Sequence, residues 1–516
     1  MSNVNFSPFV PQQLRTRVQL LCLSLSCVFA LFCTVTSEAE SFLEPSDQSL
    51  AFLQDTLSGD HLDSSLQALW GNAAKEAPKL LQLRSLKLIE ASGLQQARLE
   101  NIPWTSINWP HRLGGIARPS NDPKFDRYAS QLKDPVSKID DTIDYLSNLW
   151  PLDRTTLLNL PLESRKLFSP SIKYDLLVGD SEFSLTRQVF EQLRDLKDRK
   201  AITLWSGLCH GMAPAALALS RPIKPVNAVT ASGQVIPFYP EDLEALISLL
   251  WSNSYIHTND QLIRVYGEQC QSKNETNVTN TPRCRGINPA FLHLLLVNLI
   301  GVEKHGLIVD RSLNSVLNVP VFGYRFQYFN PLTGQKTGRF LDSLVSASVS
   351  EPKMSSLLAR ADKLTSHVVG IEMTIQFRDE LTELDHTPRT VDSIPFIREQ
   401  TFRYTLELDN DSMILGGEWY GPSRLNHPDL AWYIEPGTLA YSFVDFDLPN
   451  KSAVEASSLS QRALPPEWAV LAKKASLATT SQGIDQGRVG TPTPQPLATV
   501  IYQLLKESAG SVNPSL

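Results

Sequence analysis

The stretch LWSGLCHGMAPAAL, Leu204 to Leu217, sets a cysteine among a tryptophan, two glycines and a histidine, and follows it with a run of small apolar residues. A thiolate is stabilised by the unsatisfied amides and the dipole at a helix N-terminus. MAPAALAL, with Pro214 in its first turn, predicts a helix that begins just after Cys209. Gly207 and Gly211 permit close backbone approach, which suits an oxyanion site, and Trp205 and His210 are the side chains placed to line a substrate beside it. The same residues also fit a buried cysteine and a packed tryptophan in a crowded core, and the local pattern leaves both readings open.

A nucleophilic thiol needs a proton acceptor within hydrogen-bond reach. His210 is adjacent to Cys209, but neighbouring side chains on a helix diverge by about 100°. His293 lies in the apolar segment INPAFLHLLLVNLIG, where it is either a base or a satisfied core histidine. Asp310 ends the strand-like GLIVD, a place that suits a residue orienting an imidazole and equally suits a turn aspartate.

The cysteine count bears on the same question. Arg15 and Arg17 precede the apolar run Leu20–Val35, the pattern of a secretory signal cleaved near Ser37 or Ala39. The run is shorter than the about 20 residues of a bilayer span, so an uncleaved anchor is the competing reading. Cleavage removes Cys22, Cys27 and Cys33 and leaves Cys209, Cys270 and Cys284. Cys270 and Cys284 flank the polar QSKNETNVTNTPR and predict a disulfide worth about 3 kcal/mol in an oxidising compartment. Cys209 is then the unpaired thiol. The sequons at Asn274 and Asn277 matter only in a eukaryotic secretory pathway.

The elements that must position these residues divide the chain of 516 residues into a signal peptide, 1–39, and a helical N-terminal region or pro-segment, 40–160. A catalytic core, 161–345, a β-rich region, 346–450, and a tail with a terminal helix, 451–516, follow. In the first region Leu80, Leu81, Leu83, Leu86 and Leu88 form one face, and NIPWTSINWPHRLGGIARPSNDP reads as loop. A helix from Ser184 leads to the cysteine; Ser232 and Gly233 centre a hairpin; Pro240, Glu241 and Asp242 open a further helix. Asn288 and Pro289 start the helix bearing His293, with Gly301 ending it. HVVGIEMTIQF and TFRYTLELDND alternate as antiparallel strands. Beyond Leu448 a mobile tail is expected, with a helix near Leu497–Leu505.

The formal charge of -7 is spread along the chain without a basic block, so no nucleic-acid partner is expected. Asp379, Glu380 and Glu383 form no recognisable calcium loop and read as a solvated acidic face. No metal site is expected.

Several blocks together carry a resemblance: SPSIKYDLLVGDSEFSLT, WSGLCHGMAPAA, CRGINPAFLHLLLVNLIG, LIVDRSLNSVLNVPVFGYRFQY and GGEWYGPSRLNHPDLAW. In this order, from about Ser169 to Trp432, the chain resembles the transglutaminase elicitor family of oomycete cell-wall transglutaminases and their bacterial relatives. The resemblance implies an α+β protein with a papain/transglutaminase-like cysteine catalytic core, a helical N-terminal region and an antiparallel β-rich C-terminal part. It implies Cys209 as nucleophile, His293 as base and Asp310 as its orienter, with His427 and Asp429 of NHPDLAW in reserve. In the segment Val316–Tyr328, Leu317 replaces a tryptophan of the surface stretch that plants recognise in oomycete enzymes, while Pro320 and Gly323 are kept.

The implied activity is a secreted or periplasmic, cell-envelope protein-glutamine gamma-glutamyltransferase. It would join accessible Gln and Lys side chains of protein substrates through a cysteine thioester. No cofactor is required by the motif, and calcium stays open. No stable membrane insertion is expected after signal cleavage. The alternatives are a secreted cysteine protease or amidase, and a non-catalytic envelope or surface binding module.

Overall fold

The computed structural model describes residues 83–119, 122–203, 206–253, 263–267, 286–311, 317–358, 361–379, 397–434, 437–442, 444–477 and 494–510. The signal segment, Trp205, the pair Cys270 and Cys284, and both sequons lie outside the described residues. Every described residue falls in one compact unit. No helix among them is long and apolar enough to cross a membrane.

Helices α1 (Pro170–Val178), α2 (Ser184–Asp198), α3 (Cys209–Ala218) and α4 (Pro240–Asn253) form a layer with α6 (Trp468–Ser476) and α7 (Ala498–Ala509), while α5 (Pro289–Leu295) stands apart from it. Their starts are written locally. Ser169 accepts from Ile172 N at 3.3 Å ahead of Pro170, and Gly179 closes α1 in the left-handed region. Asp180 and Asp175 hold the first amides of α2, from Ser184, Leu185 and Thr186. α3 is apolar on every side and correspondingly buried on every side apart from His210.

The strands are β1 (Gln96–Arg98), the hairpin β2 (Val226–Val229) and β3 (Val235–Phe238), β4 (Ile263–Gly267), β5 (Leu307–Asp310), β6 (Asn318–Phe329), β7 (Lys336–Thr337), β8 (Val345–Ser346), β9 (His367–Arg378), β10 (Ile397–Leu408), β11 (Ile414–Trp419) and β12 (Leu430–Ile434). The main sheet runs β11-β10-β9-β6-β5-β12-β4, with β1 and β7 on β6 and β8 on β9. Its ladders are antiparallel throughout. Strands from before and after residue 345 therefore share one sheet.

Alternation sorts the strand side chains between two cores. Leu307, Val309, Val319, Ala431 and Tyr433 join the core beneath α5, together with Ile371, Met373 and Tyr404. Ile308 and Ile434 point the other way, into the core that contains α3. Farther along the sheet that second face is polar, with Arg325 paired to Glu399 at 2.7 Å and Lys336 to Glu372 at 2.6 Å.

Two local expectations are corrected. Gly301 does not end the helix after His293: α5 continues as a π-helix over Leu296–Val302, and Gly301 leaves room for the Tyr324 hydroxyl, 2.7 Å from where a Cβ would stand. The described residues beyond Leu448 pack rather than trailing, since Trp468, Leu497, Ile501 and Leu504 are fully buried in the α3 core. Asp445 caps α7 by accepting from Ala498 N at 3.0 Å and Thr499 N at 2.9 Å.

Candidate active site

Cys209 is the first residue of α3, buried at 3% exposure, and forms no disulfide. Gly211 and Met212 direct their amides back to Leu208 O, which closes the first turn. Pro214 has no amide hydrogen to give the His210 carbonyl, so one rung of the helix is missing next to the thiol.

A strap formed by Trp104–His111 runs antiparallel along this helix. Trp104 Nε1 donates to Leu219 O at 2.9 Å, Ser106 N to Met212 Sδ at 3.3 Å, Leu208 N to Asn108 O at 2.6 Å, and His111 N to Ser206 O at 2.9 Å. A Cβ on Gly207 would lie 2.3 Å from Asn108 O. The glycine before the cysteine is therefore required by the strap, whatever its part toward a substrate.

Two ties set the helix against the sheet. Leu217, near the end of α3, occupies the space beside Gly306, 2.4 Å from where a Cβ would stand, just before β5. At the other end Thr105, in contact with Met212, donates to Asp379 O at 2.8 Å, and the Asp379 carboxylate pairs with Arg311 at 3.6 Å, just after β5. α3 thus runs antiparallel to β5. The Cys209 end of α3 therefore lies toward the Asp310 end of β5. Asp310 follows Ile308 in alternation and so shares the α3 face.

Asp310 is fully buried, and one carboxylate oxygen accepts from Leu317 N at 2.8 Å. Asp429 N donates to Asp310 O at 3.2 Å, and the next residue, Leu430, stands opposite Asp310 in the ladder. Burial, and then the charge of Asp310, push the Asp429 carboxyl up to about 8. One Asp429 oxygen is buried without a hydrogen-bond partner. Gly267 and Gly286, both at positive φ, let the chain press on this segment, with Asp429 O and Pro428 O lying 2.2 and 2.5 Å from where their Cβ atoms would be.

His293 is not brought to Cys209. It is fully buried on the opposite face, its ring 4.7 Å from that of Phe326 and its Nδ1 2.8 Å from the Tyr404 hydroxyl. Burial lowers it to about 3, so it is neutral, and Nε2 has no partner. To serve Cys209 the imidazole would have to cross the sheet. His427 stacks on Trp419 at 4.7 Å and its Nδ1–H donates to Ser423 O at 2.7 Å. His210 sits in the first turn of α3, half-buried; burial and then His210 lower His111 to about 4.

Sequence reasoning missed Asn318 and Trp432. Asn318 stands directly opposite Asp310 in the β5–β6 ladder, and Trp432 Nε1 donates to its Oδ1 at 2.9 Å. Neither residue carries a local signal, because the pairing depends on a register across three strands. Among the described residues no cluster of His, Cys, Asp and Glu could hold a metal ion.

Residues 191–444 match the family described as Transglutaminase elicitor. Among solved structures, the GP42 transglutaminase from Phytophthora sojae is similar at 18% identity and a TM-score of 0.48, over 85% of this chain and 98% of that one. No curated protein matches the chain.

Proposed function

Because the chain belongs, over residues 191–444, to the transglutaminase elicitor family, we propose that it is a transglutaminase-like acyltransferase that acts on protein glutamine side chains through Cys209. The observation that supports this reading is the buried thiol at the first residue of α3, the end of that helix that lies toward Asp310 in its antiparallel run along β5. The core would then be of the papain/transglutaminase kind in its chemistry, a helix-terminal cysteine set against an antiparallel sheet.

In the proposed reaction the Cys209 proton passes to the Asp310–Asp429 pair. Burial, and then the charge of Asp310, raise the Asp429 carboxyl to about 8, so the pair is able to hold a proton at neutral pH. The thiolate, favoured by the α3 N-terminus, attacks the glutamine carboxamide carbon. The C–N bond breaks, ammonia leaves with the proton returned by the carboxyl, and a thioester remains. A lysine amine adds, gives up its proton and leaves an isopeptide with the thiol restored. His293 has no part in this sequence; its neutral, sealed ring supports a packing role.

Incubation with a dansylated amine and a glutamine-rich protein tests the reading. Label incorporation that Cys209→Ala or prior alkylation abolishes is expected; retained activity in either case sinks the assignment. Fragments or ammonia without incorporated label would make the same thioester that of a protease or amidase.

Secretion, or a place in the cell envelope, is part of the proposal and rests on the Arg15, Arg17 and Leu20–Val35 pattern. So is the disulfide between Cys270 and Cys284. It is supported by the base of the intervening segment, where Ile287 N lies 3.1 Å from the place of a Cβ on Gly267.

A further inference from the structure

The hydrogen bond from Trp432 to Asn318 joins strands that are not neighbours. β12 and β6 flank β5, and Trp432 is opposite Ile308 while Asn318 is opposite Asp310. The indole must therefore lie across β5, on the face that carries Ile308, Asp310 and α3. It roofs the strand at the point where the proposed acceptor emerges. The bond also fixes the amide. An indole N–H can only donate, so it must be received by Oδ1, and the Asn318 NH2 group is turned away from Trp432. Asn318 is 5% exposed, so its orientation is held by packing as well.

We propose that Asn318 is a catalytic residue that donates from Nδ2 to the carboxamide oxygen of the acyl donor as negative charge develops on it, and that Trp432 is a positioning residue acting through Asn318. The inference rests on Cys209 being the nucleophile. A neutral amide is well suited to this role, because it lends a hydrogen bond without adding charge beside Asp310 and Asp429, and a fixed donor requires no reorganisation during the reaction. The indole contributes by keeping the amide from turning its oxygen to the substrate.

The test compares wild type, Asn318→Ala, Trp432→Phe and the double variant, measuring ammonia release from a glutamine peptide, the rate of Cys209 alkylation by iodoacetamide, and the thermal midpoint. Alkylation develops no oxyanion, so it reports the thiol alone. Asn318→Ala is expected to lose about 100-fold in kcat/KM with an alkylation rate within about twofold of wild type. Trp432→Phe is expected to lose about tenfold, and to cost nothing further once Asn318 is alanine. Asn318→Ala retaining a third of the wild-type kcat/KM, or slowing alkylation in parallel, overturns the proposal while leaving Cys209 in place. Wild type that releases no ammonia overturns both readings together.

Discussion

Gly211 and Ser248 meet backbone to backbone: a Cβ on Gly211 would stand 2.0 Å from the Ser248 carbonyl oxygen and 2.6 Å from Ser252 N. The helix bearing the thiol is thus seated directly on α4, with nothing compressible between them. Gly211→Ala forces the two helices apart and is expected to cost about 3 kcal/mol or more, read as the urea midpoint. Gly233→Ala is the control. That glycine has a positive φ but nothing within 4 Å, so only the backbone strain of about 1 kcal/mol applies. Equal losses in the two variants would contradict the close contact.

His293 gives a pH dependence of known sign. Its folded value, about 3, lies below the unfolded 6.5. A depressed histidine contributes stability that is present above pH 6.5 and is lost as the pH falls toward 3, at about 1.4 kcal/mol per unit. His293→Gln is expected to flatten the acid side of a plot of urea midpoint against pH while keeping most ammonia release per folded molecule at pH 7. A 100-fold loss of activity with the fold intact would instead return His293 to the chemistry.

The opposite sign holds at Asp429. Its carboxyl is raised to about 8, so the associated stability is full below about pH 4 and declines as the pH rises toward 8. Asp429→Asn should remove that decline, and the thermal midpoint between about pH 4 and pH 8 measures it. In wild type, ionisation of Asp429 sets a negative charge beside Asp310, the proposed proton-accepting partner, so kcat/KM is expected to fall above about pH 8. Persistence of that limb in Asp429→Asn would assign it to another group.

Cys270 and Cys284 are expected to appear as one disulfide-linked peptide pair in a non-reducing digest of protein made in an oxidising compartment. Reduction should cost about 3 kcal/mol and leave the alkylation rate of Cys209 unchanged. Recovery of Cys209 in a mixed disulfide with either residue would refute the pairing.

Much of the site is legible in the sequence because its signals are local. A small apolar run with proline predicts a helix just after Cys209, which in the structure takes in the cysteine as its first residue, and GLIVD predicts the strand that ends at Asp310, since both depend on a few consecutive residues. The place of His293 is hidden for a different reason. Its segment is apolar on all sides, and apolarity alone does not say which face of a sheet a helix covers. Gly207 suggests a role toward a substrate, whereas its neighbour is Asn108, about 100 residues earlier in the chain. Asn318 and Trp432 meet only after three strands are in register, a non-local fact. The Ser, Thr and Pro of the tail suggest mobility, but the few large residues there, Trp468 and Leu497 among them, find the helical core.

The strap and the terminal helices lie outside the family match yet belong to the same packed unit. The stretch that marks the family begins at residue 191 and stops at 444. Yet β1 and the Trp104–His111 strap precede it, Tyr174 of α1 holds Leu497 N at 2.8 Å, and α7 closes the core from beyond it. A gene fragment cut at the family's borders would encode the thiol, Asp310 and Asn318 while leaving the cysteine's helix bare along the flank that the strap covers. Such a fragment should be insoluble for want of cover rather than inactive for want of chemistry. Expression for assay should therefore begin ahead of Leu83 and run past Ala509.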